Sequence, residues 1–353
     1  MPEEKACARI LHWLLNGPAV LQAGPQRGGV CGWLDEHGPV FVYTEAAGYY
    51  LTALAAVADV HPEHLEASRA RAALVVTWLE AQVRNGDLPP TRIYLRPHAD
   101  DWRCDARFAF DLAVLARGLH DASTLVPPGR IPPLVACVLN ELDRLVDERD
   151  TLRAYRSMCA TVDPPERWST RRGFYQLKLA AALRTRPLPL SNGLALACQR
   201  IAEEWADLPS LSGALHPHLY GLEGCALFAI ASGDRSLLLR VGASLHRALG
   251  QRLQNGCVTN DTGDGMPRTD VVAQALRLAA LTAGAIDPRD AAVLRASLER
   301  RVDHDGAVVF GLTDGARSQR NVWAALFAWQ ALAWDDRLRG GQAVRARDAL
   351  LLI

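Results

Sequence analysis

The sequence predicts an all-α fold in which six helical hairpins close into a ring. Three observations carry that prediction. First, one unit recurs six times: a surface helix, a long irregular loop, then a helix that opens on polar and aromatic residues. The openings are TEAAGYY from Thr44, RCDARFAFD from Arg103, TRRGFYQ from Thr170, HPHLYGLEG from His216, PRTDVVAQ from Pro267 and SQRNVWAALFAWQ from Ser318. Second, each opening runs into an apolar or Ala-rich stretch of helical character. Third, the connections alternate in length. Those within a pair are short, as at Ser232-Gly233-Asp234 and Ala285-Ile286-Asp287, whereas those entering the polar-start helices are long and rich in Gly, Pro, Asp and aromatics. In a ring of hairpins this asymmetry gathers all the long loops at one end, where functional groups concentrate.

Taken in order, residues 4–16 form an apolar-striped helix that stops at Asn16-Gly17-Pro18. GGVCGWL and PVFVY follow as short strands around the turn Asp35-Glu36-His37-Gly38. Helices are expected over 44–59 and 63–84, then a break at GDLPPTRIYLRP that includes a short alternating run. Helices over 103–120 and 131–148 lead into the longest loop, 149–168. The remaining helices are placed at 170–185, 191–206, 216–232, 234–253, 267–284, 286–301 and 318–337, with GAVVFGL as a further β-like piece. No linker interrupts the series, so residues 1–353 read as one domain.

Composition narrows the function classes. Hydrophobic residues make up 49% of the 353, and 39 Lys+Arg balance 39 Asp+Glu. That balance offers no electrostatic footprint for nucleic acid or an anionic membrane. Arg171-Arg172 and Arg300-Arg301 are small basic clusters; Glu299 and Asp303 flank the second, which reads as a solvated helix face. The start, MPEEKACARILHWLLNG, has too short an apolar run for a signal peptide, and no stretch reaches the ~20 apolar residues of a spanning helix. A soluble, cytoplasmic protein is expected. The eight cysteines are scattered and form no CxxC, and most of them read as small buried thiols. No metal and no cofactor is expected, and nothing in the sequence sets the oligomeric state.

TEAAGYY, HPHLYGLEG and RNVWAALFAWQAL carry a resemblance to the six-hairpin glycosidase-like superfamily, whose fold is an (α/α)6 toroid. The resemblance spans nearly the whole chain and is one of rhythm rather than of a family-specific motif. It implies inner helices around a central cavity, short β decorations on the long-loop face, and an active site at the long-loop mouth. It implies a carbohydrate-active enzyme, whether hydrolase, lyase or epimerase, acting on a small sugar or an oligosaccharide. One scaffold hosts many reactions, so the reaction must be argued from residues.

In a six-fold ring, inner helix two faces inner helix five. Asp105 and Asp270 open these helices and are expected to face one another as the two carboxyl groups that glycoside hydrolysis requires. A first-turn acid equally complements the helix dipole. Glu45 follows a Thr44 N-cap and precedes Tyr49 and Tyr50 by one turn. Asp100, Asp101 and Asp105 resemble the acid cluster of a terpene-synthase metal site, but no partner motif follows. His216 and His218 flank Pro217 and suit a general base or a hydroxyl ligand; such a pair points toward epimerisation rather than hydrolysis. Catalytic candidates are therefore Asp105, Asp270, Glu45 and His218.

The turn-rich NDTGDGMPRTD, Asn260 to Asp270, reads as a lid rather than a calcium loop. Arg172, Arg268 and Arg320 open inner helices, where their forks suit an acidic sugar or a neighbouring Asp. Trp33, Tyr43, Tyr49, Tyr50, Trp102, Trp168, Tyr175, Tyr220 and Trp323 cluster at loop–helix junctions, as sugar-stacking rings or as helix-interface packing. With His216, the set Tyr49, Tyr50, Trp102, Arg172, Tyr175, Tyr220, Arg268, Arg320 and Trp323 is the expected substrate-binding shell. Trp329 and Trp334 read as core. The leading expectation is a glycoside hydrolase-like enzyme; the others are a cofactor-independent epimerase, isomerase or biosynthetic cyclase, and a non-catalytic helical-repeat protein. An open superhelix, or a mouth plugged by apolar side chains, would favour the last.

Overall fold

The computed structural model describes residues 5–84, 88–97, 101–159, 164–254, 257–260, 268–282, 285–313 and 319–353. Asp100, residues 261–267 of the expected lid, and Pro267 and Ser318 of the helix openings lie outside them. Six inner helices form the ring: α2 (Thr44–Val60), α4 (Ala109–Asp121), α6 (Gln176–Arg184), α8 (Leu215–Ser232), α10 (Thr269–Leu281) and α12 (Val322–Arg339). Each packs on the next, and α12 packs back on α2, closing the circle. Outside them lie α3 (Leu65–Arg84), α5 (Ile131–Asp143), α7 (Asn192–Glu204), α9 (Arg235–Arg252) and α11 (Pro288–Glu299), each paired with the inner helix before it. The sixth outer helix is α1 (Ala6–Asn16), which packs on α12, so the first and last long helices of the chain make one hairpin. A closed ring is the architecture the sequence predicts, and it is not the open superhelix of a solenoid.

Inner helices are buried nearly all round, with apolar side chains on most faces and a few buried polar groups turned toward the ring axis. Thirteen residues of α2 are buried without interruption from Thr44 to Leu54 and again at Ala56 and Val57. The outer helices bury one stripe, as α9 does at Val241, Leu245, Ala248 and Leu249. Two inner helices meet at glycine. A Cβ on Gly118 of α4 would lie 2.2 Å from the Gly48 carbonyl oxygen of α2, so this crossing exists only because both positions lack side chains. Trp329 and Trp334 are core, as expected.

Short antiparallel ribbons decorate the end where the inner helices begin. β1 (Trp33–Asp35) pairs with β2 (Gly38–Pro39) and with β9 (Arg320–Asn321); β3 (Phe41–Tyr43) pairs with β4 (Arg92–Tyr94). β5 (Ala106–Phe108) pairs with β6 (Tyr155–Ser157), and β7 (Leu253–Gln254) with β8 (Cys257–Val258). Three expected inner-helix starts move, that of the last from Ser318 to Val322, behind β9. The residues expected to open inner helix two form a 3-10 turn, Trp102–Asp105, and then β5, so α4 starts at Ala109. Inner helix three starts at Gln176, after a 3-10 turn at Trp168–Thr170. Thr44 is not the cap of α2 but its first residue; the cap is Tyr43, and the Thr44 hydroxyl donates to the Pro90 carbonyl at 2.6 Å. Arg301, expected on a solvated face, is buried, with Nη1 donating to the Ser297 carbonyl at 2.6 Å.

Candidate active site

A cavity of about 200 Å³ opens where the inner helices begin. Every inner helix contributes to its wall from its first two turns or the loop that enters it: Tyr43 and Glu45 for α2, Phe108, Phe110 and Asp111 for α4, Trp168 and Tyr175 for α6, His216 and Tyr220 for α8, Arg268 for α10 and Trp323 for α12. Thr91, Arg92 of β4, Arg103 and Ser169 of the two 3-10 turns, and Arg167 complete it. The mouth is open and polar on one side, not plugged by apolar side chains.

Two carboxyl groups face this space from neighbouring helices. Glu45 is 8% exposed and Asp111 is 6% exposed. Glu45 accepts hydrogen bonds from the Tyr43 hydroxyl and, at 3.3 Å, from the Tyr220 hydroxyl. Asp111 accepts from the Thr91 hydroxyl at 2.9 Å. Burial pushes Asp111 well above the usual carboxylate range, and the Glu45 charge pushes it further. Burial also raises Glu45, against the Tyr43 hydrogen bond and the positive charge of Lys178. Two carboxyl groups that repel one another this way hold a proton on one and a charge on the other. Of the two, Asp111 has the stronger upward push and Glu45 the more hydrogen-bond donors.

His216 stands beside them. Its Nδ1 lies 2.7 Å from Gln274 Oε1 and 3.7 Å from Asp270 Oδ2, which leaves Nε2 as the ring nitrogen open to the cavity. Burial and the nearby Arg268 charge lower its pKa to about 4, so the imidazole is neutral at neutral pH. Behind it a chain of polar groups runs down the ring axis. Gln274 Nε2 donates to Glu223 at 3.4 Å; Glu223 accepts from Lys178 at 2.8 Å and Arg277 at 2.5 Å; both cations also donate to the main-chain oxygen of Ile353. Lys178 sits over the rings of Tyr49, Tyr220 and Phe327 at 4.9, 4.6 and 5.2 Å, and burial brings it down to about 7.

The structure divides the residues expected at the site. It brings together Glu45, His216, Tyr175, Tyr220, Arg268 and Trp323, with Asp270 directly behind them. Asp270 is fully buried; its carboxylate takes a two-pronged bond from Arg268 (3.1 and 2.5 Å) and a third from Trp323 Nε1 at 3.3 Å. Burial alone would raise it, but Arg268, His216 and these hydrogen bonds prevail and hold it at about 2. Such a group orients its neighbours and has no proton to give.

Asp105 does not meet Asp270. It lies in the 3-10 turn ahead of β5, exposed to solvent and outside the cavity wall, because α4 begins four residues later than a helix opening at Asp105 requires. His218, two residues beyond His216, points away: its ring packs on Phe174 at 5.2 Å and Nε2 is buried without a partner. Arg172 is exposed and pairs with Glu204; Arg320 pairs with Asp303 and Asp305. Trp102 packs on Phe108 behind the wall, Tyr49 packs on Phe327 beneath it, and the Tyr50 hydroxyl ties α2 to the Leu14 carbonyl of α1 at 2.7 Å. Asp101, read with Asp100 and Asp105 as an acid cluster, instead accepts from Arg92, Tyr94 and Arg103.

Sequence reasoning passed over Asp111, Arg92, Arg103 and Arg167. The signal for Asp111 was present: it is the one charged residue in FAFDLAVLA, an otherwise apolar helical run. It is also the first-turn acid of α4 once the helix start is correct.

The fold is an (α/α)6 toroid shared with sugar-acting enzymes. It superposes on a D-mannose isomerase with a TM-score of 0.69 at 12% identity, over 95% of this chain and 96% of that one. Cellobiose 2-epimerase from Bacillus thermoamylovorans B4167 matches with a TM-score of 0.66 at 11% identity, over 92% and 97%. A glycosidase matches with a TM-score of 0.61 at 12% identity, over 93% and 97%. No sequence-family description and no curated protein sequence matches the chain.

Proposed function

We propose that the protein is a carbohydrate-active enzyme that works by acid/base chemistry at the toroid mouth. One observation carries this reading: Glu45 and Asp111, buried on adjacent inner helices in an aromatic-walled cavity, each raised and one raised by the other. That is the division between proton donor and anion that glycoside chemistry uses. Asp111 donates its proton to the departing oxygen. Glu45, steadied by two tyrosine hydroxyls, takes a proton from the attacking water or meets the anomeric carbon itself. Trp168, Tyr175, Tyr220 and Trp323 offer ring faces to sugar C–H surfaces. Asp270 is assigned a positioning role, holding Arg268, Trp323 and the His216 ring.

The neutral His216 supports a second reading, a sugar isomerase or epimerase. There Nε2 removes a carbon-bound proton next to the carbonyl and Asp111 protonates the oxygen. Solved enzymes titled epimerase and isomerase share the fold. The two are separated by running a panel of mono- and disaccharides in deuterium oxide and following the products by NMR. Hydrolysis splits a disaccharide and leaves its C–H bonds unlabelled; isomerisation exchanges solvent deuterium at carbon. In either case Asp111→Asn and Glu45→Gln are expected to lose about 10²–10⁴ in turnover, with Asp105→Asn unaffected. His216→Gln abolishes deuterium exchange in the isomerase alone. Full turnover in both carboxyl variants would end the acid/base reading.

A further inference from the structure

We propose that the sugar is anionic, and that its carboxylate, phosphate or sulfate is held at the mouth by Arg103 and Arg167 with Arg92 behind them. The proposal rests on the carbohydrate reading above and gives it a substrate class. It comes from an excess of donors over acceptors on one side of the cavity.

Arg92, Arg103 and Arg167 all line the cavity. Among the described residues, Asp101 is the one carboxylate that pairs with any of them. Its two oxygens are already fully used: Oδ2 accepts from Arg92 Nη1 at 3.0 Å and the Tyr94 hydroxyl at 2.9 Å, and Oδ1 accepts from the Arg103 backbone N–H at 3.2 Å and Arg103 Nη1 at 3.1 Å. Arg92 Nε is buried with no partner. Arg167 has no carboxylate partner among the described residues.

Arginine has only donors to offer, and among the described residues this wall supplies no further carboxylate to meet them. Glu45 is occupied by two tyrosines and Asp111 by Thr91. The like charges are close enough to feel one another: after burial, Arg92 and Arg167 push Arg103 below its ordinary value. The arginines are also braced in place, Arg103 over the Trp102 ring at 5.2 Å and Arg92 over Phe41 at 4.5 Å. A planar fork held this way matches an oxyanion. The N-termini of six inner helices converge on the same space and add positive potential in the same sense. A neutral sugar would leave the charge excess standing; an anionic one cancels it.

The test is binding to the full chain, read by quenching of tryptophan fluorescence. The probes are D-glucose, D-glucuronate and D-glucose 6-phosphate, the matching mannose series, and inorganic phosphate alone. At least one anionic sugar is expected to bind about tenfold or more tighter than its neutral parent. The preference should shrink in high salt and vanish in Arg103→Gln and Arg167→Gln, with Arg167→Lys restoring part of it. The uronate and phosphate arms identify which oxyanion fits. Thermal melts of the variants show whether the fold is intact, and Arg167, being exposed, can be replaced without loss of packing. Equal or tighter binding of the neutral sugars, or a preference that survives both glutamine variants, overturns the proposal and leaves the carbohydrate reading standing. Binding of phosphate with no sugar of either kind overturns both.

Discussion

Asp111 and Asp270 are both buried first-turn acids of inner helices, yet their surroundings drive them in opposite directions. Asp111 has a hydroxyl donor and a neighbouring anion, and it rises; Asp270 has the fork of Arg268, and it falls to about 2. Helix position therefore does not set the chemistry of an acid; the charge across from it does. A stability consequence follows for Asp270. Its folded pKa lies below the ordinary 3.8, so its contribution is present above about pH 4 and is lost as pH falls toward 2. Asp270→Asn removes the charge that the Arg268 fork grips and is expected to cost about 3 kcal/mol at neutral pH. The variant should also lack the part of the wild-type decline that lies between pH 4 and 2. Urea midpoints across this pH range check both, and parallel curves for the two proteins would refute the assignment.

The elements owe their spacing to small residues at their crossings and their start points to the ribbons that precede them. α2 and α4 approach so closely that Gly118 lies against the Gly48 backbone. Gly118→Ala must push the two helices apart, and because backbone rather than a flexible side chain stands in the way, a cost of about 2–3 kcal/mol is expected. Glu45 and Asp111 sit at the beginnings of these same helices, so the variant should lose activity as well as stability. A denaturation curve and a turnover measurement on one preparation test this; an unchanged midpoint would show that the crossing tolerates a methyl group. The start of α4 is set by pairing of Ala106–Phe108 with Tyr155–Ser157, some fifty residues later. The periodicity of RCDARFAFD alone cannot announce that pairing, which is why it points to Asp105 as the helix opener in place of Asp111.

Across the whole molecule, closure couples distant parts of the chain. α1 is the outer partner of α12, and Trp13, Leu14 and Leu15 of α1 are buried in the common core. Stability at the α12–α2 seam should therefore depend on the first helix. Trp13→Ala is expected to cost about 4 kcal/mol while leaving a single cooperative transition. Scanning calorimetry would show one peak shifted down; an unshifted peak, or two peaks in the parent protein, would mean that α1 does not share the core.

How much of this was legible in the sequence follows from the range of the forces involved. The sixfold rhythm, the all-α class and the gathering of long loops at one mouth are local properties, written in periodicity and loop length, and the ring confirms them. So is the placement of Glu45, His216, Tyr175, Tyr220, Arg268 and Trp323 near that mouth, since each lies within a turn or so of a helix start. What could not be read locally were pairings between remote segments. The β5–β6 ribbon moved a helix start and exchanged Asp105 for Asp111. The fork from Arg268 made Asp270 an anchor. His216 and His218 lie two positions apart on α8 and so on nearly opposite faces, and the setting of α8 against its neighbours decided which ring met the cavity and which met Phe174. Burial, mutual repulsion and partner choice depend on which side chains arrive from other helices, and one-dimensional spacing does not carry that information.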